Sequence, residues 1–406
     1  MDGHNLGRLR MFSALRHPNY RWLWLNIFFW TMGRWMEWVA ISWLVLEMGG
    51  SPFILGAAYA CRTLPAVFFG GLGGVLADKI GRRKPILIAQ ATMVSVQWLT
   101  ASLVVFGVVQ IWWILVATLL GGTALAFDQP ARHSLIYDLV GKKDLLNAVA
   151  LNRIAQRTGS IAGAPLAGAL ITFAGTGVCL YVIGAMFFLG VMSLLMLRLS
   201  PATVKTKGTS LWRDFVAAWE FVRSQPQILG VLAVEIAFDV FATYHMLMPL
   251  FARDILKIGP TGLGFLFAAE GAGEMTGALF LASSSQVRRR GWLLLGGFLG
   301  LGGLLLLFSL SSRFYLSLLI LVVVGLMHTV VMIMVQTLLL SSVPDELRGR
   351  VMGIYVLTWG AVPVGSLQAG ALAGLFGAPF ALGIGGAVIM LAAGALYFTQ
   401  PKLRQL

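Results

Sequence analysis

Apolar residues in this chain are gathered into twelve runs, each long enough to cross a lipid bilayer as a helix. A membrane-spanning helix needs about 20 predominantly apolar residues, and glycine or proline within it does not exclude a helix. The runs occupy residues 21–47, 53–77, 85–108, 111–132, 146–173, 177–198, 227–251, 261–283, 291–311, 314–340, 350–374 and 379–399. The pattern predicts an all-α, polytopic membrane protein with 12 transmembrane helices.

Charge is scarce in this chain and is strongly biased toward the positive sign. Charged residues make up 11% of the 406 residues, against about 25% in soluble domains. So few charges cannot cover a water-facing surface of this size, which excludes a soluble enzyme. The net charge of +14 would indicate nucleic-acid binding in a soluble protein, so the position of the basic residues decides its meaning.

The basic residues fall in alternate connections between the runs. Of the 30 Lys and Arg residues, three lie in one set of connections (Arg253, Lys257 and Arg313) and four lie within the runs (Arg34, Arg62, Arg153 and Arg157). The other 23 lie at the termini and in the opposite set. Because cytoplasmic loops carry the excess of Lys and Arg, both termini are expected in the cytoplasm, and no nucleic acid is expected as a partner.

The longest connection divides the runs into six plus six. It contains an amphipathic stretch from Leu211 to Arg223, which predicts a helix on the inner membrane surface. Ala-Gly-Ala-Leu at 167–170 recurs at 369–372, which supports an internal repeat. We expect two pseudo-symmetric six-helix bundles, at residues 1–198 and 227–406, joined by a cytoplasmic linker at 199–226. Parallel repeats of this kind are typical of a large class of secondary transporters.

The connection after the second run carries a recognisable motif, Gly-Val-Leu-Ala-Asp-Lys-Ile-Gly-Arg-Arg-Lys at residues 74–84. Its glycines allow tight packing and a sharp turn, and Asp78 can pair with Arg82 at the membrane edge. The motif resembles the signature loop of the major facilitator superfamily, with only Lys79 departing from it. The resemblance implies the fold of that superfamily and a conformational latch formed by Gly74, Asp78, Gly81 and Arg82. The corresponding connection at 283–290 lacks the acidic residue, so the resemblance implies no second latch.

The fifth run contains Gly159, Gly163, Pro165 and Gly168, which resemble the glycine-proline motif of antiporters in that superfamily. Such residues bend a helix and let its neighbour approach closely, and ordinary small-residue packing is the alternative interpretation. Residues 127–132 and 343–353 resemble the branch that contains enterobactin exporters and macrolide-efflux proteins. The resemblance favours export.

Acidic residues inside the membrane are the candidates for ion coupling. Glu235 and Asp239 lie four residues apart in the seventh run, and Glu270 and Glu274 do so in the eighth. Each pair shares a helix face, so both members cannot easily stay ionised in a low dielectric, and a proton can bind and leave. Because no basic residue is visible in the eighth run, we expect these acids to be free for coupling rather than fixed in structural ion pairs.

Other polar or aromatic residues within the runs are candidates for the substrate cavity, because charges at bilayer depth are functional by default. They are Arg34, Glu37, Arg62, His328 and Trp359. Asp128 is expected to pair with Arg153 and Arg157 and to hold helices together. No cofactor or resident metal is expected.

The function that these features favour is a proton-coupled exporter of amphipathic small molecules, such as drugs or siderophores, working by alternating access. The expected partners are a small-molecule substrate, a proton or sodium ion, and membrane lipid, with a monomer in a bacterial inner membrane. A lipid, lysophospholipid or anionic solute transporter is the alternative, since Arg34 and Arg62 could receive an anion. A divalent metal exporter using Asp239, His245 and His328 is a further one. Neither an H-E-x-x-H motif nor a phosphate-binding loop occurs, which argues against an enzyme or ATP-driven pump.

Overall fold

The described part of the chain is built of helices. The computed structural model describes residues 13–80, 83–197, 211–283, 290–344 and 347–401, with residues 70–80 described as helix backbone only. The α-helices are α1 (Pro18–Glu47), α2 (Pro52–Ile80), α3 (Arg83–Val105), α4 (Ile111–Thr158), α5 (Ala164–Ala174), α6 (Thr176–Leu195), α7 (Leu211–Ser224), α8 (Pro226–Phe241), α9 (Tyr244–Leu250), α10 (Gly259–Ser283), α11 (Arg290–Ser309), α12 (Phe314–Ser342), α13 (Arg348–Thr358), α14 (Val362–Phe376) and α15 (Ala378–Thr399).

Short irregular helical turns interrupt or precede several of these helices. A 3-10 turn at Ser13–Arg16 precedes α1, and another at Trp359–Ala361 joins α13 to α14. π-helical turns at Gly159–Gly163 and Phe251–Ile255 follow α4 and α9. Such turns are frequent at functional sites, because they change which side chains face a neighbouring helix.

Within the described residues, ten helical segments are long and apolar enough to cross a membrane. Two of the twelve predicted runs, at 21–47 and 146–173, are absent from these ten. The first forms a single helix, α1, that carries Arg21, Arg34, Glu37 and Glu47. The second is divided among the end of α4, a π-helical turn and the 11-residue α5. The helices nevertheless fit the predicted twelve-helix, two-bundle arrangement.

The predicted connection at 133–145 is helical rather than a loop. Helix α4 consists of two helical segments that meet at Gly141, whose φ of 65° and ψ of −176° are not helical and favour glycine, and the second segment ends at Thr158. Lys142, Lys143 and Asp144 made this segment look like a loop. A helix that leaves the bilayer can carry such charges without ending, so hydropathy marks where the membrane ends rather than where the helix does.

The chain divides into two compact units. One comprises residues 1–44 and 64–206, and the other comprises residues 45–63 and 207–406. The second unit therefore includes the first turns of α2, which the predicted boundaries placed in the N-terminal bundle. A glycine explains their packing: a Cβ atom at Gly56 would lie 3.2 Å from the Cα of Gly370 in α14.

The first unit has a hydrophobic core beneath its N-terminal turn. Tyr20 of α1 is fully buried there and donates hydrogen bonds to the carbonyl oxygen of Ala148 (2.8 Å) and to the Asn152 side chain (3.0 Å) of α4. Trp24 donates to the Leu151 carbonyl oxygen (3.1 Å). These bonds attach the start of α1 to the far part of α4.

The predicted repeat is visible as two equivalent helix ends. Helix α5 ends at Gly175 (φ 86°, ψ 162°), and α14 ends at Gly377 (φ 90°, ψ 156°). Each glycine donates its N–H to the carbonyl oxygen four residues earlier, and each is followed at once by the next helix. Gly175 and Gly377 are separated by the same number of residues as the two Ala-Gly-Ala-Leu segments. The repeat therefore appears in the backbone geometry as well as in the sequence.

In the second unit, α7 forms where the amphipathic stretch predicts a helix. Its Ala218 and Val222 are fully buried, and the helix packs on α8 and α13. Phe215 and Trp219 are exposed. Residues 199–210 of the predicted linker lie outside the described residues.

Candidate functional site

The four predicted coupling acids all lie in the second unit, on two helices. Helix α8 carries Glu235 and Asp239, and α10 carries Glu270 and Glu274. Glu235 and Glu270 are each 2% exposed and Glu274 is 8% exposed. We refer to these four acids, with His245 and His328, as the acid–histidine cluster.

Glu270 has two partners on α9. Its Oε1 accepts a hydrogen bond from the Tyr244 hydroxyl (2.5 Å) and lies 2.8 Å from Nε2 of His245. The Tyr244 and His245 rings stack with their centroids 4.3 Å apart. Its Oε2 atom is buried without a hydrogen-bond partner. One carboxylate oxygen is thus held in place and the other is left available.

Glu274 meets His328 because α10 and α12 touch through their backbones. A Cβ atom at Gly273 or Gly325 would clash with a carbonyl oxygen of the facing helix. A Cβ atom at Gly277 would lie 2.7 Å from the carbonyl oxygen of Leu326. This close approach places Oε1 of Glu274 3.2 Å from Nδ1 of His328. Small residues spaced four apart are typical of closely packed membrane helices.

Glu235 and Asp239 form the other side of the cluster. The Tyr355 hydroxyl donates a long hydrogen bond to Oε1 of Glu235 (3.5 Å), and Oδ2 of Asp239 is buried without a partner. Both acids interact electrostatically with His328. The Tyr355 ring also makes an edge contact with the exposed Trp359, with the ring centroids 6.0 Å apart.

The first turns of α2 bring a basic residue to the same unit. Arg62 is buried, and Tyr59, one turn earlier, interacts electrostatically with Arg62, Asp239 and Glu270. Two residues predicted for the substrate cavity, Arg62 and His328, therefore lie near the predicted coupling acids. Burial of several titratable groups in one place is typical of a functional site.

The eighth run shows no basic partner for Glu270 or Glu274, whereas in the structure His245 and His328 contact them from other helices. The eighth run alone could not show this, since the imidazoles come from α9 and α12. Sequence reasoning also missed Tyr59, Tyr244 and Tyr355, because a tyrosine in an apolar run gives no signal of what its hydroxyl contacts.

The remaining predicted cavity residues lie on α1, in the first unit. Glu37 is buried, and Arg34, one turn away, is partly buried. Glu37 lies beside Gly121 of α4, where a Cβ atom would be 3.9 Å from its Oε1. Two charged residues thus lie within the first unit, at helix positions that the sequence placed in mid-span.

A buried polar network joins four helices of the first unit. Arg132 donates to both carboxylate oxygens of Asp128 (2.7 and 2.9 Å) and to the Asn26 side chain (2.6 Å). Gln90 donates to Asp128 (3.3 Å), and Asn26 donates to the Gly190 carbonyl oxygen (2.7 Å). The Arg132 guanidinium also lies over the Trp30 ring, 5.9 Å from its centroid.

The predicted partners of Asp128 need correction. We expected Arg153 and Arg157, but Arg153 is exposed, and the guanidinium that holds Asp128 belongs to Arg132. Arg132 lies one turn away in the same helix and is buried, although its position at the end of an apolar run suggested a cytoplasmic charge. A structural role for Asp128 stays a prediction.

The glycines of the predicted antiporter-like motif lie against α1. Gly159 is the first residue of the π-helical turn and Gly163 is the last. A Cβ atom at Gly159 would lie 2.6 Å from Cγ2 of Thr31, and one at Gly163 would lie 2.9 Å from the carbonyl oxygen of Met32. Pro165 and Gly168 follow in α5. In the predicted latch, Gly74 and Asp78 lie on the α2 backbone, and Gly81 and Arg82 lie outside the described residues.

Comparison with known proteins identifies the family. The profile of the major facilitator family described as "transmembrane secretion effector" (MFS_3) matches residues 10–406. The chain belongs to this family. A curated relative in this transporter superfamily is the enterobactin exporter EntS of Shigella boydii serotype 4 (strain Sb227). It is 27% identical over 352 residues, which cover 84% of this chain and 81% of the relative.

Solved structures agree on the fold. The nucleoside transporter NupG superposes with a TM-score of 0.74 at 14% identity, over 94% of this chain and 98% of NupG. A glutamate-to-glutamine mutant of the peptide transporter POT superposes with a TM-score of 0.78 at 11% identity, over 95% of each chain. This MFS_3 chain therefore has the fold of the major facilitator superfamily.

Proposed function

We propose that this chain is a proton-coupled exporter of amphipathic small molecules, such as siderophores or drugs, in a bacterial inner membrane. Membership of a transporter family and the similarity to a protein named an enterobactin exporter support the direction of transport. Both termini lie in the cytoplasm, as the distribution of basic residues favours. Binding of substrate and proton alternates between the two membrane faces.

The observation that carries the coupling is the pair of carboxyl groups on α8, of which Glu235 is buried and Asp239 is partly buried. Glu235 is almost completely buried, and Asp239 has an oxygen that is buried without a partner. An ionised carboxylate in such a place leaves a charge poorly compensated, whereas a bound proton removes the charge. These two acids are therefore suited to take up a proton in one state and release it in another. Glu270 and Glu274 are further candidates, although histidines already contact both.

The test is transport by purified protein in liposomes. Export of a catecholate siderophore or a lipophilic cationic drug is measured with and without an imposed pH gradient. We expect the gradient to drive substrate accumulation, and a sodium gradient to have no effect. Accumulation driven by sodium alone would contradict the assignment of the proton.

Neutral variants identify the coupling residues. Glu235→Gln and Asp239→Asn should reduce gradient-driven accumulation to the level of protein-free liposomes, while exchange of substrate without a gradient continues. Asp254→Asn is the matched control, since Asp254 is exposed and pairs with its neighbour Arg253. If both cluster variants accumulate substrate like the unmodified protein, these assignments are wrong.

Transport of an anionic lipid is the second candidate, because the buried Arg62 offers a cation in the second unit. The same liposomes loaded with a lysophospholipid test it. Movement of the lysophospholipid, with none of the siderophore or drug, would favour this alternative.

A further inference from the structure

Three side chains of the acid–histidine cluster have the composition of a metal site. Glu270, Glu274 and His328 each offer a ligand atom, and these atoms lie within 4.8 Å of one another. Ligands bound about 2.0–2.2 Å from a Zn²⁺ ion lie about 3 to 4 Å apart, so small side-chain movements close the site around an ion.

The backbone of two helices fixes this arrangement. Glu270 and Glu274 lie one turn apart on α10, and His328 lies opposite them on α12. The glycine contacts at Gly273, Gly277 and Gly325 hold the two helices together at this level. A binding site carried by closely packed helices is better defined in its geometry than one on loops.

Glu270 supplies a second, independent observation. It is 2% exposed, and its Oε2 has no hydrogen-bond partner. Its Oε1 is held by Tyr244 and His245, which orients the carboxylate. Metal-binding carboxylates are commonly oriented by hydrogen bonds of this kind. The His328 ring is positioned likewise by stacking on Phe238, with centroids 5.5 Å apart.

Charge favours a doubly charged ion over a single proton or an anion. Two carboxylates in a low-dielectric interior cost much free energy unless their charge is compensated, and one divalent cation compensates both. The imidazole then acts as a neutral ligand through Nδ1. Ca²⁺ and Mg²⁺ prefer all-oxygen sites, whereas two carboxylates with an imidazole suit Zn²⁺ and its transition-metal neighbours.

We infer that Glu270, Glu274 and His328 form a binding site for a divalent transition-metal ion of the Zn²⁺ class, which joins α10 to α12. The site goes beyond the proposed export of organic molecules. The sequence offered His328 as a metal ligand only together with Asp239 and His245, and not with Glu274, which lies 54 residues away in the chain.

The first test is equilibrium binding of ZnCl₂ to the full-length, detergent-purified protein after removal of any affinity tag. We expect one ion per chain, with Mg²⁺ and Ca²⁺ failing to compete at the same concentration. Glu274→Gln and His328→Leu should each weaken the affinity by about 100-fold or more. His17→Gln and Asp254→Asn, which remove an imidazole and a carboxylate outside the cluster, should leave the affinity unchanged.

Two outcomes of this titration would overturn the inference. One is absence of Zn²⁺ binding by the unmodified protein. The other is binding that is equally tight in Glu274→Gln and His328→Leu, which would place the ion elsewhere. Size-exclusion chromatography of each variant shows whether it remains folded.

A second variant keeps the test decisive if His328→Leu does not fold. His328→Cys replaces the imidazole with a thiolate, which is also a metal ligand. When Co²⁺ is added, this variant should gain a sulfur-to-cobalt charge-transfer absorption that the unmodified protein lacks, although the latter contains free Cys61 and Cys179. A folded His328→Cys protein without this absorption would rule out residue 328 as a ligand.

Metal binding and proton coupling are distinguishable in these experiments. The titration is done at equilibrium without any gradient, and the coupling test uses Glu235 and Asp239 in metal-free buffer. If the protein exports substrate but does not bind Zn²⁺, only the metal site is disproved. If it binds Zn²⁺ at this site but accumulates no substrate, only the coupled export is disproved.

Discussion

Buried charged residues in this protein differ in whether their partner lies on the same helix or on another one. Asp128 finds its guanidinium within its own helix, whereas Glu270 and Glu274 depend on imidazoles from other helices. The first kind of pair is local and the second requires the folded unit. The consequences of removing one member should differ accordingly.

Removal of the Asp128 carboxylate tests the polar network of the first unit. Asp128→Ala leaves the buried Arg132 guanidinium without its counter-charge, which should cost about 3–5 kcal/mol of stability. Thermal unfolding of the purified protein, followed by fluorescence, measures the loss. Asp254→Asn, which breaks an exposed ion pair, should cost about 0–1 kcal/mol. Equal unfolding temperatures for Asp128→Ala and the unmodified protein would show that the network contributes little.

The site residues show what the sequence can and cannot predict at this scale. Glu235, Asp239, Glu270 and Glu274 stand out because carboxylates are rare inside apolar runs. Their partners do not stand out, because contacts such as Glu274 with His328 depend on how two helices pack. Arg132 was misplaced for a related reason: its position at the end of a run looks the same whether it faces water or a buried aspartate.

Helices in the second unit are set in place by glycines at which two backbones touch. Gly273, Gly277 and Gly325 lie between α10 and α12. At Gly296 and Gly303 of α11, by contrast, a Cβ atom would have no neighbouring atom within 4 Å. The chain thus provides glycines of both kinds within one unit, which gives a matched comparison.

Alanine substitutions at these glycines should have opposite effects on stability. Gly273→Ala and Gly325→Ala add a methyl group against a facing carbonyl oxygen and should each cost about 1–3 kcal/mol. Gly303→Ala should be neutral or stabilise by up to about 1 kcal/mol, because alanine favours the helix. Thermal unfolding in detergent compares them. If Gly273→Ala is as stable as Gly303→Ala, α10 and α12 are not in backbone contact.

Helix positions were predictable from the sequence because the bilayer fixes the length of an apolar run. The ends of helices were less predictable, and α4 is the clearest example. Its charged residues after Gly141 resemble a loop, whereas the structure shows that the chain kinks at that glycine and then forms a second helical segment. The repeat at 167–170 and 369–372, by contrast, did predict an equivalence that appears in the backbone at Gly175 and Gly377.

At the scale of the whole molecule, the net charge of +14 acts as an orientation signal. We predict that both termini are cytoplasmic. A fluorescent protein fused to the C-terminus should fluoresce in bacterial cells, and alkaline phosphatase at the same position should be inactive. Phosphatase inserted between Ile255 and Gly259 should be active, because Arg253 and Lys257 belong to the connections with few basic residues. The reverse pattern of activities would refute the orientation.

The fold was predictable from the sequence to a greater extent than the substrate. Apolar runs and one signature loop are properties of the whole superfamily. The fold and family predicted from them are confirmed by membership of the MFS_3 family. The side chains predicted to line the substrate cavity, such as Arg34, Arg62 and Trp359, are few, and no pattern in the sequence specifies their surroundings.

The ion pair between Asp128 and Arg132 has a consequence for biogenesis. During synthesis, helices enter the bilayer before they have neighbours, and a lone charge opposes entry, by about 2.5–3.5 kcal/mol at the centre of the membrane and by less toward its edge. Since these two residues lie one turn apart near the end of their apolar run, α4 can pair them as soon as it is helical. Pairing within the segment lowers the cost of inserting either charge, and Asn26 and Gln90 need to join the pair only when the helices assemble.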